Sequence, residues 1–225
     1  MELLATAAIA AAIVLLRKPL RKQRVNSAFS NMLAALLIAC EVSFQCWYII
    51  EGDWGVHSLP LQLCSMMVLL SAAFLVTRKR KLGDIVFFLG LLGAMQALLT
   101  PNLDVSYPHF RYFHFYIAHI CIISVCVFMA AVDGYRPGFQ SMLRAFVWLQ
   151  ALAVPAAIVN GIAGTNFMFL ARKPSTASLL DWLAPWPWYL VQLEMVAFGL
   201  CLLLWAAMRL ANIPFQNKKS GGEIR

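Results

Sequence analysis

The feature that most constrains this chain is its alternation of long apolar runs with short basic clusters such as RKPLRKQR and RKRK. The runs approach ~20 residues, the length that carries a helix through the hydrocarbon of a bilayer. Seven such apolar runs are expected to be membrane helices. Hydrophobic residues make up 62% of the chain and charged residues 12%. A soluble domain of this size could not cover so much apolar surface. The expected fold is therefore all-α, a polytopic membrane bundle.

Seven apolar segments can be delimited, at residues 2–16, 28–50, 58–77, 83–100, 110–132, 143–160 and 187–210. The first differs from a signal peptide, whose positive charge precedes the apolar stretch. Here Glu2 precedes it, and Arg17, Lys18, Arg21, Lys22 and Arg24 follow. It reads as a retained helix with the N-terminus outside. With seven spans the C-terminus lies inside, and of the 18 basic residues all but Arg111, Arg172 and Lys173 fall on the inner side. That asymmetry is the positive-inside rule. Trp47, Tyr48, Tyr107, Tyr112 and WPWY at 186–189 then fall at outer helix ends, as an aromatic belt does. Residues 1–211 form one membrane domain. The polar tail, 212–225, reads as disordered and cytoplasmic.

The net charge of +8 concerns topology and anionic lipid headgroups. No basic stripe interleaved with aromatics is present on a soluble face, so nucleic acid is not an expected partner, whereas membrane phospholipids are. The six cysteines all sit in apolar segments without CxxC spacing, which argues against a disulfide framework or a zinc site. Nothing in the sequence reports the oligomeric state.

Polar residues within the spans gather at one level. Glu41 and Gln45 lie in the outer half of the second span, and His57, Gln62 and Cys64 at the head of the third. Gln96 and Asn102 mark the outer end of the fourth; His109, Arg111, His114 and His119 enter with the fifth. Asn160 and Asn166 follow the sixth, and Gln192 and Glu194 open the seventh. The inner halves read as almost pure Leu, Ile, Val, Phe and Ala. Polar side chains in hydrocarbon usually face a bundle interior or a wet cavity. Six spans contributing at one level predict a polar cavity opening outward.

The histidines at 109, 114 and 119 are five apart, so successive ones turn ~140° around a helix. They do not make the i, i+4 pair of a zinc-binding helix, and no metal is expected. Cys64 is the cysteine with polar neighbours, HSLPLQLC, at the histidines' level. A thiol beside an imidazole can serve as a nucleophile; away from one it is a packing residue. The runner-up reading is a transporter or small-molecule sensor that uses the same cavity to bind and not to react. Polar residues that only lock helices together give a structural reading. Against transport, no inverted repeat or matching pair of broken helices is seen.

Three blocks, HSLPLQLC, TPNLDVSYPHFRYFHFYIAH and NGIAGTNFMFLARKPSTASLLDWLAPWPWYL, resemble the signature blocks of the YwaF family of bacterial integral membrane proteins. The resemblance runs from about the second span to the seventh. It implies residence in the bacterial plasma membrane. That family is in turn similar to a eukaryotic transmembrane family implicated in phospholipid acyl transfer through a membrane cysteine and histidine. Carried over, the cysteine of LPLQLC is Cys64 and the histidine of YIAH is His119, with His114 the alternative if the alignment slips. The resemblance implies a catalytic pair of Cys64 and His119 acting on phospholipid, with no cofactor needed for transesterification. Glu194 or Glu41 would orient the imidazole, and Gln62, Gln96 or Asn102 would donate to the oxyanion. Loop 160–173 becomes a substrate-contact candidate through Asn166 and the outer pair Arg172 and Lys173, with Gln192 lining the same cavity.

Overall fold

The computed structural model describes residues 2–175 and 178–211. The described residues are helical with short loops and no strand. We number the main helices α1 (Glu2–Leu15), α2 (Gln23–Ile50), α3 (Leu63–Thr77), α4 (Arg80–Leu99), α5 (Phe110–Ala131), α6 (Phe139–Ala163) and α7 (Trp188–Leu210). A helix fills most of each expected apolar segment. Five of these helices, α2 and α4 to α7, are long and apolar enough to cross a membrane. At 14 and 15 residues, α1 and α3 are shorter, spanning roughly 21–23 Å at 1.5 Å per residue. The third segment starts as helix at Leu63, not at residue 58. Pro60 fixes an extended stretch there, since the residue before a proline is pushed out of the helical region. The expected disorder of 212–225 falls outside the described residues.

Contacts at the helix ends fix their relative directions. Tyr112, in the first turn of α5, donates to the Glu2 carboxylate at the start of α1. Both helices therefore start at the same end of the bundle. Gln45, late in α2, donates to the Ser58 carbonyl before α3 at 2.9 Å. Tyr189, at the head of α7, donates to the Phe169 carbonyl after α6. These contacts define one end, called here the upper end.

The lower end is laced by charge. Arg78 pairs with Asp133 at 2.7 Å and donates to Asn26 at 2.9 Å and to Ser30. Arg21 donates to the carbonyls of Val132 and Ala131, each at 3.0 Å. Asp84 is fully buried near the start of α4, paired with Arg144 of α6 and hydrogen-bonded by the Tyr135 hydroxyl. This corrects the expectation of nearly pure apolar inner halves. A buried carboxylate is tolerated there because a guanidinium and a phenol satisfy both its oxygens.

Helices α4 and α5 form the centre. α5 packs on α1, α2, α3 and α4, and α4 also meets α3 and α6. α7 packs mainly on α6 and is largely exposed. Within α4, residues Val86–Gly90 widen into a π turn, a local register change that π-helical turns impose on the backbone bonds. The Val86 carbonyl accepts from the Cys126 thiol at 3.5 Å.

Candidate functional site

The four histidines have four different surroundings. His57 is 3.3 Å from the Asp53 carboxylate. His109 caps α5, its Nδ1 accepting the Arg111 amide at 3.1 Å. His114 stacks on Phe44 with ring centroids 4.3 Å apart. His119 is buried, 5% exposed, on the bundle side of α5. Its Nδ1 lies 2.6 Å from the Phe115 carbonyl oxygen one turn back. A carbonyl only accepts, so Nδ1 carries the proton and Nε2 of the neutral ring holds a lone pair. That Nε2 has no partner among the described residues.

A chain of close helix contacts sets the level of His119 against Cys64. Gly93 of α4 faces Leu63 of α3, where a Cβ would meet Leu63 Cδ2 at 3.4 Å. Gly90, one turn lower, faces Ile122 of α5, where a Cβ would meet Cγ2 at 3.1 Å. His119 precedes Ile122 by one turn, ~4.5 Å toward the upper end. That is the level of Gly93, and so of Leu63 and Cys64. A lower set repeats the register. A Cβ on Gly83 would meet Phe74 Cε2 at 2.8 Å and Met129 Cε at 3.1 Å. Gly83 to Gly93, Phe74 to Leu63 and Met129 to His119 are each separated by about ten residues, roughly 15 Å of helix.

Helix faces agree with that level. Cys64, Val68, Ser71 and Leu75 recur at i, i+4, i+7 and i+11, and the last three are buried. Cys64, partly buried, stands at the top of that inward line. His119 tops a similar line on α5 with Ile122, Cys126 and Met129, all buried. Ser71 Oγ also lacks a partner, but it lies seven residues, ~10 Å, below Cys64. An apolar groove of about 770 Å³ between α2 and α3 is lined from α3 by Leu69, Ala72, Ala73 and Val76. Those positions form the other face of α3, so the groove does not open on Cys64.

Most of the remaining polar candidates have partners. Glu41 is buried and accepts from Gln45 at 3.1 Å. Glu194 accepts from Gln150 at 2.6 Å. The expected carboxylate orienting His119 is thus replaced by the Phe115 carbonyl. Gln96 donates to Thr100 at 2.7 Å, and Gln192 accepts the Ala184 amide at 2.6 Å. Asn102 lies in the α4–α5 connection. Gln62 immediately precedes α3, and its side-chain oxygen accepts the Met168 amide at 2.9 Å. Its carbonyl is occupied, which leaves its amide nitrogen as the donor.

Loop 164–173 is tied down over this region. The buried Asn160 accepts the Phe167 amide at 2.7 Å and donates to the Phe167 carbonyl at 3.0 Å. Asn166 accepts the amides of Ala171 and Arg172 at 3.1 and 3.0 Å. Met168 and Phe169 take left-handed backbone angles, φ 55° and 54°, which cost side-chain-bearing residues energy and concentrate at functional positions. Lys173 donates to the Leu183 carbonyl at 2.7 Å. Arg172 is exposed, 3.5 Å from the Gly164 carbonyl.

The composition of the runs did not reveal Asp84, Tyr135 and Arg144 as a cluster. The available signal was an aspartate inside an apolar run, KLGDIVFF. No group of three or more His, Cys, Asp or Glu side chains among the described residues is placed to hold a metal ion. The sequence model of the TMEM164 family matches residues 1–205. No curated protein and no solved structure matches the chain.

Proposed function

The chain belongs to the TMEM164 family, and from that premise we propose that this multi-pass membrane protein transfers acyl chains between lipids through Cys64 and His119. The observation that carries this reading is the buried imidazole. Its tautomer is set by Phe115, and among the described residues its Nε2 lone pair has no partner, at the level where α3 presents Cys64. In the first step Nε2 takes the Cys64 proton, and the sulfur attacks the ester carbonyl of a donor phospholipid. The ester C–O bond breaks, the imidazolium returns the proton to the leaving alkoxide, and the acyl chain remains as a thioester. In the second step an acceptor hydroxyl loses its proton to Nε2 and attacks the thioester. Sulfur leaves and recovers the proton. The Gln62 amide nitrogen is the donor we assign to the oxyanion, and exposed Arg172 the cation for a lipid phosphate.

The same proposal includes seven crossings with the N-terminus outside, although α1 and α3 are short. It also includes the finer likeness to the YwaF family and residence in a bacterial plasma membrane. His114, stacked on Phe44, is the alternative base.

The test uses the purified chain in lipid nanodiscs with a short-chain activated acyl ester, followed by intact-mass spectrometry. We expect one acyl adduct, absent in Cys64→Ala and retained in Cys126→Ala. His119→Gln should slow its formation by about 10²-fold or more, the usual contribution of a general base. An adduct that survives Cys64→Ala, or forms at an unchanged rate in His119→Gln, overturns the pair and favours a binding or structural role.

A further inference from the structure

The basic residues of the lower end divide into two groups. Arg78 is spent on Asp133, Asn26 and Ser30, and Arg21 on two backbone carbonyls. Arg80 and Lys81, in the first turn of α4, are exposed and have no hydrogen bond or ion pair among the described residues. They line a cleft of about 560 Å³ together with Gly138 and, from α6, Phe139, Gln140, Ser141 and Arg144.

Among the described residues the charge in this cleft is one-sided: three cations line it and no carboxylate does. Arg144 belongs to a different span from Arg80 and Lys81, and it is fixed from behind by Asp84. Asp84 is fully buried, so its single negative charge faces Arg144 and Tyr135 and not the cleft. The Ser141 amide already donates to the Gly138 carbonyl at 3.0 Å, but the amides of Phe139 and Gln140 ahead of it have no intrahelical acceptor and add positive potential at the same spot. Topology alone asks only for basic residues near the lower helix ends. It does not ask for a concave site in which two spans aim three cations at one volume, one of them anchored on a buried acid.

We infer that this cleft is a binding site for a phosphate group, separate from the Cys64 and His119 region at the other end of the bundle. A phosphate offers oxygens to Arg80, Lys81 and the Arg144 guanidinium together, a geometry that suits arginine in particular. Its placement at the lower helix ends fits the headgroup of an anionic phospholipid, and a free phosphate offers the same oxygens.

The test uses the full chain in mixed micelles with equal amounts of dioctanoyl phosphatidic acid and dioctanoyl phosphatidylcholine, with retained lipid read by native mass spectrometry. The native chain should retain phosphatidic acid in preference to phosphatidylcholine. Arg80→Gln/Lys81→Gln should weaken that retention by about 30-fold, the fold-change for ~1 kcal/mol per basic residue. Lys18→Gln/Lys22→Gln removes the same charge from the same end outside the cleft and should change retention by less than about twofold. Gln140→Glu, which places a negative charge in the cleft and removes no cation, should weaken retention in the same direction. Competition by millimolar inorganic phosphate supports the site and assigns it to the free anion. Undiminished phosphatidic acid in its presence supports the site and assigns it to the lipid. Equal losses in the two double variants, or equal retention of phosphatidylcholine, overturn it. Loss of the Cys64 adduct has no bearing on this result, so the two proposals fail separately.

Discussion

Replacing the partners of Asp84 should destabilise the bundle unequally, in an order set by which group is left buried. The Asp84 side chain is 0% exposed, whereas Arg144 is 33% exposed through the lower cleft. Arg144→Met leaves a carboxylate sealed in the bundle with one neutral donor, Tyr135. Breaking a buried pair this way costs ~3–5 kcal/mol. Water can approach through the space the guanidinium vacates, so we expect the lower part of that range, about 3 kcal/mol. Asp84→Leu removes the sealed charge and leaves Arg144 hydrated in the cleft. The remaining loss is the Tyr135 hydroxyl's acceptor and the pair itself, about 1–2 kcal/mol. The double variant replaces both ions with apolar groups and should cost less than Arg144→Met alone, which gives a coupling of about 2 kcal/mol. The assay is unfolding in mixed micelles with increasing sodium dodecyl sulfate, followed by the fluorescence of the seven tryptophans. If Asp84→Leu costs as much as Arg144→Met, or the double variant equals the sum of the singles, the buried charge is not what the pair neutralises.

Three further outcomes follow from named contacts. The Tyr135 phenol is raised above its ordinary value, first by burial and then by its bond to Asp84. The folded state holds that proton longer than the unfolded state. Stability should therefore be full below pH ~10 and fall as the pH rises further, and Tyr135→Phe should flatten that fall in a pH series of unfolding curves. Asn160→Ala strips both Phe167 backbone groups of their partner. It should cost about 2 kcal/mol and speed proteolysis within 164–173 in a limited-digestion time course. If Glu2 and Tyr112 share the outer end, cysteines introduced at Leu3 and Tyr107 should both react with an impermeant maleimide on intact cells and one introduced at Lys18 should not; the reverse pattern would invert the topology.

How much of this was legible in the sequence follows from what each property depends on. That the chain folds as apolar membrane helices was read from the sequence because hydropathy sums along it residue by residue, without reference to any neighbour. The segregation of Arg17 to Arg24 and of Arg78 to Lys81 is likewise a one-dimensional property. The crowding of His109, His114 and His119 at the head of α5 was visible, but their differences were not. Only packing shows that His109 caps a helix, that His114 stacks on Phe44 and that His119 turns inward with Nε2 unpartnered among the described residues. Rotation about a helix axis and the level of one helix against another leave no periodic mark on a run that is apolar on most of its faces. They are decided where side chains meet, at Gly83 with Phe74 and Met129, at Gly90 with Ile122 and at Gly93 with Leu63. The same holds for Asp84. Its sequence announces a charge in an apolar run, and only the tertiary structure brings Arg144 and Tyr135, about 50 to 60 residues away, to its two oxygens. A buried charge is stable only where such partners converge, and convergence is a property of the fold.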